Sequence, residues 1–357
     1  MNTTLQNELE KLFTGINETV SVREFKEEVF ADASENFTDL QQQQPTASEL
    51  ELAQKVVAGL GDVHAVAQSI AGEVTDLVVI EQANASNYDT FELDAYAGEI
   101  FIARGVGDDF RVDQVLTNDD AEFAVKIENA NRHFKVTMPR PTVGGVFGKL
   151  KRMGFDWHDK QNIIRIDVPE SFKGDMKIKV NAGEVHITDL DLDGWLDLEL
   201  NAGEVKVKSI KVANIEANIM AGSALFKNVE VAGVFRANVK AGEVELRNVA
   251  ADFQMSGAAG SIEAKDLMGH GKFSGKAANF ELAWQTVNGD LAFETAVGNI
   301  EVKLPGKASY HVQVAKSLGD VEIKRMHTVT ADQKVIVGDA PTFTVSANAT
   351  LGNITIK

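Results

Sequence analysis

One phrase recurs in this chain at intervals of about twenty residues. Ala182-Gly183-Glu184-Val185 returns as Ala202-Gly203-Glu204-Val205, Ala221-Gly222-Ser223-Ala224 and Ala241-Gly242-Glu243-Val244. A looser copy follows at Ala259-Gly260-Ser261-Ile262, and another stands upstream at Ala97-Gly98-Glu99-Ile100. Self-similarity at a fixed period is the mark of stacked supersecondary units, each too small to bury its own apolar face.

Apolar side chains stand two, four and seven positions after each glycine. They are Val185, Ile187 and Leu190; Val205, Val207 and Ile210; Ala224, Phe226 and Val229; and Val244, Leu246 and Val249. Polar residues separate them, which is the alternation of a strand with one buried face. A second alternating run completes each unit, as in Leu196, Leu198 and Leu200 or Phe235, Ala237 and Val239. The glycine marks a corner between the two runs. Weaker copies continue at Gly298, Gly319 and Gly352, with a wide gap before the last that implies an insertion or a differently shaped cap. The pattern predicts a β-solenoid or a flattened two-sheet stack over about 91–357, with a meander of antiparallel hairpins as the rival.

Residues 1–75 read differently. They hold thirteen Asp and Glu against four Lys and Arg, half of the net charge of −18. Leu5, Leu9, Leu12, Phe13 and Ile16 form a helical stripe. Ser21 to Glu24 and Thr46 to Glu49 read as capping boxes opening further helices, with Gln41 to Pro45 as a linker between them. The whole chain is thus expected to be α+β. A small acidic helical bundle (1–75) precedes an all-β repeat domain (76–357), which an irregular basic loop at 139–157 interrupts.

Gly59-Leu60-Gly61-Asp62-Val63-His64-Ala65-Val66-Ala67 resembles the closing element of the HAAS-type helical domain of bacteria. Ile164-Arg165-Ile166-Asp167-Val168-Pro169, its echo Ile300-Glu301-Val302-Lys303-Leu304-Pro305, and the Gly-Glu-Val strand starts resemble the bacterial "putative adhesin" family of β-strand repeats. The resemblances imply a protein of Gram-positive bacteria tied to cell-envelope physiology.

There is no cysteine, which excludes disulfides and thiol nucleophiles. The strongly negative charge argues against a nucleic-acid binder. The N-terminus lacks a secretory signal and no apolar run is long enough to span a bilayer, so a cytoplasmic location is expected, with a peripheral membrane association as an extension.

Asp189, Asp191 and Asp193 before Gly194 have the alternate-carboxylate spacing of a calcium loop, but a solvated turn between two strands is the simpler reading. Glu184 and Glu204 are expected to stack as like charges, relieved by Lys206 or by a cation. In the 139–157 loop, Phe147, Leu150 and Trp157 are candidate anchors for an anionic membrane or a partner, with Lys149, Lys151 and Arg152 as electrostatic contacts. No catalytic motif and no cofactor fingerprint is present. The reading is therefore a non-enzymatic scaffold or interaction protein whose acidic helices dock a protein partner. A membrane or surface-binding module using the loop is the alternative, and a carbohydrate-acting β-helix enzyme comes third. The last strand, near Ile354 and Ile356, is expected to be an exposed edge that supports a homodimer.

Overall fold

A computed structural model describes residues 3–16, 20–44, 47–60, 63–72, 78–115, 124–138, 163–330 and 335–357. The chain divides into two units, Met1–Asp76 and Leu77–Lys357.

The first unit contains α1 (Thr3–Leu12), α2 (Val20–Gln43), α3 (Glu49–Gly59) and α4 (Val63–Gly72). Leu5, Leu9 and Phe13 recur at helical spacing and meet Val29, Ala33 and Phe37 of α2 and Leu52, Ala53 and Val56 of α3 in one core. The expected linker at Gln41 is still helix, because α2 runs on to Gln43. The capping box of α3 belongs to Ser48 and Glu51, not to Thr46 and Glu49. The Glu51 N–H donates to Ser48 Oγ (3.3 Å) and the Ser48 N–H donates to Glu51 Oε2 (3.1 Å), satisfying two free donors of the first turn. Val66 and Leu50, which the apolar pattern places inside, are about half exposed. No helix among the described residues is long and apolar enough to cross a membrane.

The second unit is a β-solenoid built as the repeat predicts. Strands β8 (Asp175–Val180), β10 (Trp195–Leu200) and the first stretch of β12 (Asn214–Val297) pair in parallel, with Met176, Leu196 and Ile215 in register. Around the corner, β9 (Glu184–Thr188), β11 (Glu204–Val212) and the next stretch of β12 pair likewise, with Val185, Val205 and Ala224 aligned. The β12 segment makes several rungs, turning at Gly222, Gly242 and Gly260. The hairpin meander is thereby excluded for the repeats. Inward side chains merge into one interior, in which Phe226, Phe235, Phe253, Phe273 and Phe293 follow one another with ring centroids 4.7 to 6.3 Å apart.

The corner glycines stack on one another. At Gly203, φ is +118°, and a Cβ placed there would lie 1.9 Å from the carbonyl oxygen of Gly183. Only a residue without a side chain fits such an approach at that dihedral. Each rung bends a second time at a left-handed residue, Asp189, Ser209, Asn228, Asn248 or Asp266. Side-chain amides hold these bends together, as where Asn248 Nδ2 donates to Asn228 Oδ1 (2.9 Å).

Both ends depart from simple stacking. β2 (Thr90–Ala95) lies between β6 (His133–Thr137) and β8, and β3 (Glu99–Arg104) lies between β7 (Ile163–Val168) and β9. Antiparallel strands β1 (Val78–Asn84), β4 (Asp109–Val115) and β5 (Lys126–Ala130) extend this end. At the other end the chain leaves β13 (Ile300–Lys303), forms β14 (Tyr310–Leu318) and β15 (Val321–Ile323), and passes through the antiparallel pair β16 (His327–Val329) and β17 (Val335–Val337). It then returns so that β18 (Phe343–Leu351) sits between β12 and β14, and β19 (Ile354–Ile356) between β13 and β15. The expected free edge at Ile354 and Ile356 is therefore corrected. Both residues are fully buried with a paired strand on each side, and the homodimer reading loses the edge it rested on.

Candidate functional site

Alternation along the strands puts every second side chain outside, and parallel register lines these up in columns. Glu99, Glu184 and Glu204 form one column. Phe101, His186 and Lys206 form the next. Carboxylates on adjacent rungs at about 4.8 Å repel one another, and the column needs a cation. Lys206 supplies it. Its Nζ lies 2.5 Å from Glu184 Oε1 and 3.3 Å from Glu204 Oε2. His186 stacks on Phe101, with centroids 4.8 Å apart, and its Nε2 lies 3.0 Å from Glu184 Oε1 without the alignment of a hydrogen bond.

The electrostatics follow from these contacts. Burial raises the Glu99 carboxyl above the usual carboxylate range, and the Glu184 charge adds to the shift. Burial pushes Glu184 upward too, but the hydrogen bond from Lys206 and the charges of His186 and Lys206 outweigh it, and its pKa is lowered. Burial lowers the His186 imidazole, Glu184 opposes the shift, and Lys206 and Lys208 reinforce it. Among the described residues, Glu99, Glu184 and His186 are the one group of three potential metal ligands whose donor atoms lie within 4.8 Å of one another. The set suits a divalent transition metal, but the Lys206 ammonium already sits against Glu184.

Asp189, Asp191 and Asp193 do not converge. Leu190 and Leu192 between them are buried, and the three aspartates lie on the turn between β9 and β10, with Asp189 in the left-handed region. Asp191 is paired with Lys173 (2.9 Å), whose hydrogen bond holds the carboxyl below its usual range. The carbonyl of Asp189 accepts from Arg104 Nε (3.1 Å), and the Asp193 N–H donates to the Lys173 carbonyl (2.9 Å). Phe147, Lys149, Leu150, Lys151, Arg152 and Trp157 lie outside the described residues. The repeat phrase at Ala97 to Ile100 is the signal that could have placed Glu99 beside Glu184.

The adjoining outer face carries a similar ladder. Lys177 Nζ reaches Asp197 (3.3 Å) and Glu199 (3.0 Å), and Lys135 reaches Glu92 (2.8 Å). These are cross-rung pairs on a built β surface, with parallel strands and a glycine corner in each turn. The profile of the Toastrack DUF4097 family matches residues 88–357. The chain belongs to the Toastrack DUF4097 family.

The Toastrack match covers the solenoid and excludes the helical unit. No curated protein matches the chain. Among solved structures, a "putative cell adhesion protein" from Clostridium sporogenes is 13% identical, with 79% of this chain and 99% of that chain covered and a TM-score of 0.25. A "putative adhesin" from Bacteroides fragilis is 12% identical, covering 80% and 98%, with a TM-score of 0.38. One from Parabacteroides distasonis is 13% identical, covering 79% and 97%, with a TM-score of 0.37. At such distances the superpositions carry no argument about this chain.

Proposed function

We propose that the protein is a non-enzymatic binding scaffold of the bacterial cell envelope, serving a stress or regulatory role, in which the acidic helical unit docks a protein partner. The supporting observation is where the polar chemistry lies. The solenoid interior is filled mainly by aliphatic and aromatic side chains from Phe91 to Ile356, and the acidic and basic groups, apart from the buried Asp113, stand in columns on the outside, many of them paired across rungs. A surface of this kind recognises by contact. The HAAS-like resemblance and the concentrated acidity of residues 1–75 support the helical unit as the docking element.

The test is cross-linked co-purification of the full chain from bacterial cells, alongside a variant carrying Glu10→Lys and Glu49→Lys. Both glutamates are exposed. The expected result is a defined protein partner recovered with the wild type and lost with the variant, at equal helicity by circular dichroism. Recovery of the same partner with both would refute docking through the acidic helices.

A further inference from the structure

The outer surface of the solenoid is not uniform. One inward column runs through Leu200, Ile219 and Val239, all buried. Asn238 Nδ2 donates to Asn218 Oδ1 (3.0 Å) and Ser256 Oγ donates to Asn238 Oδ1 (2.5 Å), which fixes the register of the following rungs. The next members of the inward column are therefore Gly257 and Gly275. Neither has a side chain to offer the core. Ala278 occupies the space below, 3.5 Å from where a Gly257 Cβ would be and 2.5 Å from a Gly275 Cβ. Over this thin stretch of wall lies an open groove of about 620 Å³ that crosses the rungs from Asn238 to Thr350.

Three lysines line it: Lys240, Lys272 and Lys276. Lys240 and Lys276 stand two rungs apart in one outward column, about 10 Å by rung spacing. Hydroxyls and carboxamides lie between them, from Ser256, Ser274, Asn348 and Thr350, and Glu294 is the one acid in the lining. None of the three lysines has an ion-pair partner among the described residues. Lys135, Lys177, Lys179 and Lys206, in other outward columns nearer the other end, each have an acidic partner. In a chain of net charge −18, three uncompensated ammonium groups around one concavity call for an anionic complement. No aromatic residue lines the groove, so base stacking of a single-stranded nucleic acid has no platform. The apolar lining is limited to small side chains and Val239, which offers no anchor for a lipid surface.

We propose that this groove binds an acidic polysaccharide. The lysines take carboxylates that recur along the polymer, and the Ser, Thr and Asn side chains take sugar hydroxyls. The inference is independent of a protein partner on the helical unit.

The experiment is isothermal titration of the full chain with polygalacturonate oligomers, with neutral dextran oligomers, single-stranded DNA and phosphatidylserine vesicles as comparisons. Binding of polygalacturonate is expected, weakening as salt is raised to about 0.5 M, with no binding of dextran. The triple variant Lys240→Ala, Lys272→Ala, Lys276→Ala is expected to lose at least about tenfold in affinity, and the triple Lys→Arg variant to retain it. All three side chains are exposed, and the melting temperature is the check that folding is unchanged. Absence of polygalacturonate binding, undiminished binding by the alanine variant, or equal binding of dextran would overturn the proposal. So would DNA or vesicle binding as strong as that of the polysaccharide and lost in the same variant.

Discussion

Replacing Lys206 by Met removes the one cation that joins two members of the acid column. Glu99, Glu184 and Glu204 would then face one another on adjacent rungs. Two carboxylates about 4.8 Å apart repel by about 0.9 kcal/mol in bulk water and by about 3.5 kcal/mol at an effective dielectric of about 20. In the wild type Lys206 offsets this through ion pairs to Glu184 and Glu204. The side chains are 27%, 34% and 41% exposed, respectively, so solvent screens both pairs and each is worth at most about 1 kcal/mol. The expected cost of Lys206→Met at neutral pH is about 2 kcal/mol. The sign with pH follows from Glu184. Its folded pKa is depressed, so its contribution is present above the unfolded value and lost as pH falls through the folded one. In the variant the part of that depression supplied by Lys206 is lost, leaving the part from His186, and proton uptake relieves the column. The gap between variant and wild type must therefore narrow at about pH 4 and below. Urea denaturation followed by tryptophan fluorescence measures it, because Trp195 and Trp284 both lie in the solenoid. An equal loss at pH 7 and pH 4, or no loss at pH 7, would show that the lysine does not neutralise the column.

Three further outcomes are expected. Gly203→Ala should cost at least about 3 kcal/mol, since its Cβ would meet the Gly183 carbonyl oxygen at 1.9 Å; thermal melts check it. At Asn228, in the left-handed region with φ +56°, alanine should cost about 1–2 kcal/mol by losing both the amide ladder and the dihedral preference. Glycine there should cost less than alanine, and the reverse order in urea midpoints would refute that account. Phe253→Ala opens a hole in the fully buried aromatic row and should cost about 3–5 kcal/mol, with loss of near-ultraviolet circular dichroism.

The middle of the solenoid was legible because each rung states the same rule. Val185, Val205, Ala224, Val244 and Ile262 are all inward, as their distance from the glycine requires. The ends were not, because there the neighbours of a strand come from remote segments and no period records them. Glu301 pairs with Thr355, and Glu92 lies between Lys135 and Lys177. The aspartates from Asp189 to Asp193 look alike in a calcium loop and in an ordinary turn between strands. What decides between the two is Lys173 and Arg104, which come from elsewhere in the chain. The sunken wall could have been read from Gly257 and Gly275 standing where the repeat calls for a large aliphatic residue. The bend residues Ser209, Asn228, Asn248 and Asp266 carried their own signal in residue types that tolerate a left-handed backbone.

The placement of β18 and β19 between strands made earlier has a consequence for biosynthesis. As the chain leaves the ribosome, β14 and β15 emerge with no parallel neighbour available, because the strands that join them to β12 and β13 have yet to be translated. Addition of one turn upon the last therefore stops at β13, and the closing segment must slide into a waiting gap like the tongue of a buckle. Lengthening or shortening of the protein during evolution is accordingly expected among the central turns, where a copied unit finds the same neighbours on either side.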